Sequence, residues 1–172
     1  MKRLNIDDVM INTSLCCAFD VELCFDEPLE ELPDITGVEA VSVFTDDKII
    51  IYTDNIQDIG RLKEVMNHEL FGHFVLRRTH TVSELESLCL RVAGYNAHTF
   101  LFKQVQNAYP GATAAMLGEE FIASTMERAH RIDSEPYSQG WIYNYMMGLR
   151  KTAARRVSYD ERNREVAYCR VR

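Results

Sequence analysis

The sequence contains no run of eighteen apolar residues, no C-x-x-C pair and no basic excess. Each absence excludes something. Without a long apolar run, no helix is expected to cross the hydrocarbon of a bilayer, so no membrane partner is expected. With 26 Asp and Glu against 19 Lys and Arg, and a net charge of −7, the surface repels a polyphosphate backbone, and no nucleic-acid partner is expected. Arg150-Lys151 and Arg155-Arg156 form one local basic exception. They read as the solvated C-terminal end of a helix, where cations oppose the helix dipole. Five cysteines, an odd number with no paired spacing, suggest neither a disulfide framework nor a zinc ribbon, but reduced, mostly buried thiols. The opening MKRLNIDD turns acidic at once and carries no apolar signal core, so the expected location is cytoplasmic.

What is present is one domain's worth of apolar residues. A chain of 172 residues, 47% of them hydrophobic, can bury one core and is short for two. No internal repeat or linker interrupts it. We therefore expect a single domain over 1–172, with its core at about 19–156 and a charged tail at 158–172. A short helix is expected over 6–17. The alternation from Phe19 to Phe25 predicts a half-buried strand. Val38 to Phe44 and Lys48 to Thr53, joined at Asp46-Asp47, predict a hairpin of β-branched residues.

The period then changes. Ile59, Leu62, Val65, Met66, Leu70 and Phe74 recur every three or four residues and predict a helix over about 57–77. Thr81-Val82-Ser83-Glu84 fits a capping box and starts a second helix running to about Gln106, ahead of Tyr109-Pro110-Gly111. Further helices are expected over 113–132 and 138–156. The fold class is thus α+β, a small sheet packed on a bundle of about four helices.

Within the first long helix stands His68-Glu69-Leu70-Phe71-Gly72-His73. Zinc hydrolases take two His ligands one helical turn apart, with Glu after the first His placed to deprotonate a metal-bound water. Here the spacing is one residue longer. In a regular helix five steps rotate the second His by roughly 140° from the first. In an i→i+5 turn of roughly 4.4 residues the two return to within about 50° of each other, so the motif requires a π-type bulge. Gly72 is suited to distorted backbone or to close helix packing. A third ligand is available in Gly118-Glu119-Glu120-Phe121-Ile122-Ala123, where one carboxylate must point inward if Met116, Leu117, Phe121 and Ile122 are buried. A buried carboxylate needs a cation or an arginine such as Arg77 or Arg91.

H-E-L-F-G-H followed some fifty residues later by E-E-F-I-A resembles the zinc signature of the dipeptidyl peptidase III family, whose chains are several times longer. That resemblance implies zinc held by His68, His73 and Glu120, with Glu69 as general base. A more extended resemblance is to the small metallopeptidase-like domains of large polyvalent proteins in phages and mobile elements. There a strand resembling Ile51-Tyr52-Thr53-Asp54-Asn55-Ile56 leads into H-E-x-x-G-H-x-x-L-R, matched through Leu76 and Arg77, then an E-E-x-x-A helix and a Trp-containing helix, as in Trp141 to Arg150. It covers roughly 19–152 and implies a zincin-like fold. One departure is Ser124, at a position where an acidic residue often follows the second motif.

The expected activity is zinc-dependent hydrolysis of a peptide or protein substrate, with Glu69 catalytic and His68, His73 and Glu120 as ligands. The alternative is an inactive zincin-fold module that binds a host protein. Two His and a carboxylate also suit Fe(II). Glu127 and His130 form a single E-x-x-H, half of what a di-iron bundle requires. His98, His130, Tyr137 and Tyr143 are the candidates for stabilising an oxyanion.

Overall fold

The computed structural model describes residues 21–30, 34–44, 47–129, 144–146 and 148–149. The expected helix over 6–17, the tail 158–172 and most of the stretch 138–156 lie outside them, although 144–146 and 148–149 are helical. Three strands, β1 (Glu22–Phe25), β2 (Ala40–Val43) and β3 (Lys48–Ile51), form a sheet in the order β1-β3-β2. β1 runs parallel to β3, and β2 antiparallel. The central strand is buried on both faces, which is why it reads Ile49-Ile50-Ile51 without alternation. Ile49 and Ile51 enter the main core, whereas Ile50 joins Cys24 and Tyr52 on the opposite face. Alternation along β2 sends Val41 and Val43 to that second face and Ala40 to the main core, so Ser42 looks towards the helices.

Asp26 ends β1 with a positive φ of 54°, a conformation Asp tolerates better than most side chains. Its carboxylate accepts from the Thr53 backbone N–H at 2.8 Å and from the Thr53 hydroxyl at 2.7 Å. This ties β1 to the 3-10 turn Thr53–Asn55 that follows β3.

The helical layer begins with α1, spanning 59–79. It is α-helical over Ile59–Met66, π-helical over Asn67–Val75 and α-helical again over Leu76–Thr79. Asp58 caps its start by accepting from the Arg61 N–H. A metal ion shared by His68 and His73 would need an i→i+5 turn between them, and the π stretch covers both residues. Leu62, Val65, Met66, Leu70, Phe71, Phe74 and Val75 carry the helix into the core.

The second helix is shorter than its sequence suggests. α2 (Val82–Asn96) carries the expected Thr81/Glu84 capping box, but a separate α3 (Phe100–Ala108) follows in place of a run to Gln106. Side chains cause the break. Asn96 donates to the Val92 carbonyl at 2.8 Å, and the Thr99 hydroxyl donates to the Asn96 carbonyl at 2.8 Å. Thr99 then accepts from the Phe102 N–H and caps the new helix. Finally α4 (Ala114–Ala129) packs on α1 and α2 through glycines. A Cβ at Gly118 would lie 2.0 Å from the Cys89 carbonyl oxygen. Among the described residues, no helix is long and apolar enough to cross a membrane.

Candidate metal centre

Two π turns of α1 and the middle of α4 meet at three donors. His68 Nε2 and His73 Nε2 stand 3.3 Å apart, and the Glu120 carboxylate lies 3.7 Å from the first and 3.6 Å from the second. Those carboxylate distances suit an ion pair and are too long for hydrogen bonds. Glu120 Oε2 is buried and has no hydrogen-bond partner, a costly state for a carboxylate oxygen unless a cation shares the site. Among the described residues these three side chains form a group able to hold one ion, with the ligand atoms all within 4.8 Å of one another.

The donor set fits zinc in spacing and in protonation. Two donors bound tetrahedrally at about 2.0–2.1 Å stand roughly 3.3–3.4 Å apart, matching the two nitrogens. The Nδ1 atoms decide the tautomer. His73 Nδ1 faces Glu119 Oε1 at 2.9 Å and His68 Nδ1 faces Glu127 Oε2 at 3.2 Å. A carboxylate only accepts, so each Nδ1 carries a proton and donates. Neutral rings would then turn two Nε2 lone pairs on each other across 3.3 Å, an arrangement that needs positive charge between them. Without metal, a proton on His68 supplies it. Burial disfavours the imidazolium, but the carboxylates of Glu120 and Glu127 outweigh that and push the His68 pKa up to about 10.

Each histidine is backed by a carboxylate, and each carboxylate by an arginine. Glu119 is 8% exposed and accepts from Arg77 Nε at 2.8 Å and Arg77 Nη2 at 3.0 Å. The Arg77 guanidinium lies 4.0 Å above the Phe44 ring. On the other side Arg61 pairs with Glu127 and with Glu39 and Glu64. Burial opposes ionisation of both carboxylates. Hydrogen bonds to His73 and Arg77 nevertheless hold Glu119 below its ordinary range, and those to His68 and Arg61 bring Glu127 down to about 2. Glu120 is also lowered against the effect of burial, chiefly by His68 and His73.

Glu69 lines a cavity of about 510 Å³ together with His68, Tyr109, Ser124 and Glu127. Its Oε2 accepts a hydrogen bond from the Ser42 hydroxyl on β2. Tyr109, where α3 ends, has its phenol pKa raised by burial and by the charge and hydrogen bonding of Glu120.

His68, His73 and Glu120 therefore converge on one point, and Glu69 lines the adjacent cavity that His68 also lines. Both members of the Glu119-Glu120 pair point inward, although Met116, expected to be buried with their neighbours, is 56% exposed; Arg77 serves Glu119, and Glu120 faces the two imidazoles. Ser124 lines the cavity, while the carboxylate that reaches His68 comes from Glu127. His98 is exposed and does not line the cavity. His130, Tyr137 and Tyr143 lie outside the described residues. Sequence reading missed Ser42, Arg61, Tyr109 and the supporting roles of Glu119 and Glu127. The seven-residue spacing of Glu120 and Glu127 along one helix face was the available signal. No protein-family profile, curated protein or solved structure matches the chain.

Proposed function

We propose that this chain is a zinc-dependent, metallopeptidase-like hydrolase of zincin-like architecture, with His68, His73 and Glu120 as metal ligands and Glu69 as general base. One observation carries the reading. Two imidazole nitrogens with their Nδ1 atoms tied to carboxylates face each other at 3.3 Å, beside a buried carboxylate oxygen that has no hydrogen-bond partner. Two His and one Glu leave a fourth position for water, as catalytic zinc sites require.

When bound, zinc would polarise the scissile carbonyl and bring the pKa of its water towards about 7. The chain's own residues do the rest. Glu69, held by Ser42, takes the proton as the water oxygen bonds to the carbonyl carbon, then delivers it to the amide nitrogen as the C–N bond breaks. Tyr109 provides a hydroxyl beside Glu120 for the oxyanion.

The sheet supports a peptide as substrate. The Tyr52 N–H donates to the Glu39 carbonyl at 2.9 Å, which makes 39 and 52 a hydrogen-bonded pair. Residues 41 and 43 bond towards β3 in the same way, while 40 and 42 direct their backbone groups to the outer edge. An extended peptide adding there would lie along the rim that carries Ser42 and Ala40, beside the cavity.

Metal content of the purified wild-type chain and of His73→Ala, with digestion of a peptide mixture by wild type and Glu69→Gln, tests the proposal. One zinc in wild type, little in His73→Ala, and cleavage lost in Glu69→Gln support it. Equal metal in both proteins sinks the ligand assignment. Zinc bound without cleavage by wild type favours the binding-module alternative.

A further inference from the structure

We infer that Arg61 is a positioning residue for the metal site, acting through Glu127 to hold His68 in the tautomer and orientation that binds the ion. The inference rests on the metal-site reading above. Arg61 lies two turns before His68 on α1, and Glu127 lies two turns beyond Glu120 on α4. Their side chains meet beside the cavity that exposes His68.

The geometry leaves Glu127 little freedom. One of its oxygens accepts from Arg61 Nη1 and the other faces His68 Nδ1 at 3.2 Å. Arg61 is itself fixed by Glu39 at the start of β2, through Nε at 2.7 Å and through Nη2, and by Glu64 at 2.9 Å. A single guanidinium therefore joins the strand that bears Ser42, the helix that bears both His ligands and the helix that bears Glu120. Guanidinium suits this role because its donors form a rigid planar fork that can serve several carboxylates at once.

Comparison with the other histidine isolates the function. There one Arg77 serves one carboxylate, Glu119, taking both oxygens. Here one arginine serves three carboxylates. Removing it would leave Glu127 beside the carboxylates of Glu39 and Glu64 without the guanidinium that joins them, and would let Glu127 turn into a competing ligand. His68 would then lose the acceptor that keeps its proton on Nδ1. Supporting partners of this kind typically change metal affinity by about 10–100-fold.

The test is a double-mutant cycle on the full chain. Zinc affinity is measured by competition with a chromophoric chelator for wild type, Arg61→Gln, Glu127→Gln and the double variant, with His68→Ala as the control. The cobalt(II) absorption spectrum and the nitrogen chemical shifts of His68 report the site's geometry and tautomer. We expect each single variant to weaken zinc binding by about 10–100-fold and the double variant to be no weaker than Glu127→Gln alone. Arg61→Lys should recover part of the loss with the His68 tautomer restored. If Arg61→Gln does not fold, Arg61→Lys with and without Glu127→Gln forms the same cycle. Wild-type affinity in the Arg61 variants, or an equal loss with and without Glu127, overturns the inference while leaving the metal site intact. Absence of zinc binding by wild type, or equal binding by His68→Ala, overturns the metal-site reading itself.

Discussion

Gly72 and Ala123, fifty-one positions apart, are the point where the two halves of the site touch. A Cβ built on Gly72 would fall 2.4 Å from both Cα and Cβ of Ala123. The glycine is therefore required by close helix approach, since its backbone lies within the π segment without a positive φ. The small residues of the two motifs thus share a structural task. One step back from Gly72, Phe71 enters the core. One step forward, His73 faces Glu119, while three residues before Ala123 stands Glu120. Helix separation at this contact sets the distance between imidazoles and carboxylate.

Gly72→Ala should accordingly weaken both fold and site. Alanine gains about 0.5–1 kcal/mol of helix stability, but the added methyl meets backbone, which no rotamer change can relieve, and overpacking costs about 1–3 kcal/mol. The net loss should lower the thermal midpoint by several degrees, at roughly 2–4 °C per kcal/mol for a chain of this size. Zinc affinity should fall with it. Ala123→Gly in the same chain should restore only part of both, because it removes the Ala123 Cβ and leaves its Cα at the same 2.4 Å; a Gly72→Ala chain with wild-type midpoint and zinc affinity would refute the contact.

Glu69→Gln and Ser42→Ala would separate the proposed base from its support. Glutamine keeps the size of the side chain but cannot take the water's proton, so kcat on a cleaved peptide should drop by about 10²–10⁴ with zinc retained. Ser42 donates to Glu69 from the edge strand. Its removal should lower kcat by a smaller factor with little change in metal content. A Ser42→Ala enzyme with wild-type kcat would show that Glu69 needs no such anchor.

The hairpin and the π segment were legible for different reasons. Val41, Val43, Ile49 and Ile51 carry β-branched side chains suited to a pleated sheet, and the five-residue histidine spacing has no use in a regular helix. Thr81 and Glu84 lie three residues apart, so their capping box was local enough to read. The break between α2 and α3 was hidden because Ala93, Ala97, Leu101 and Val105 keep apolar residues four apart across it, while Asn96 and Thr99 redirect the backbone through side-chain bonds. Arg77 was named from the sequence as a possible partner of the inward carboxylate, but which arginine serves which carboxylate was illegible for a related reason. Glu119, Glu127, Arg61 and Arg77 are ordinary solvent-facing types, and their partners lie 42, 59 and 66 positions away. Only the folded chain reveals them.

Cys24 and Cys89 should behave as inert thiols. Burial first, then nearby carboxylates, pushes both up to about 12, and thiolate is the reactive form. In native protein at neutral pH, mass spectrometry after brief alkylation should find both unmodified, and denaturant should expose both. Rapid labelling of Cys89 in the native chain would contradict its packing beneath Gly118.

The pH dependence of the metal-free chain follows from His68 and Glu127. His68 has a folded pKa of about 10 against an ordinary 6.5. Its stabilising effect is fully present below about 6.5 and is lost as pH rises through 10. Glu127, brought down from 4.5 to about 2, acts in the opposite direction, stabilising above about 4.5 and losing that effect as pH falls through 2. Chelator-treated protein should therefore melt highest between about pH 4.5 and 6.5 and progressively lower towards pH 9, as far as these two groups decide. On the proposed function zinc would take the place of the proton between the two imidazoles, so zinc-saturated protein should not show the alkaline decline. Because binding displaces the His68 proton, zinc affinity should rise about tenfold per pH unit between 7 and 9. Affinity independent of pH over that range, or a metal-free chain that grows more stable towards pH 9, would remove the proton from the place the ion is argued to take.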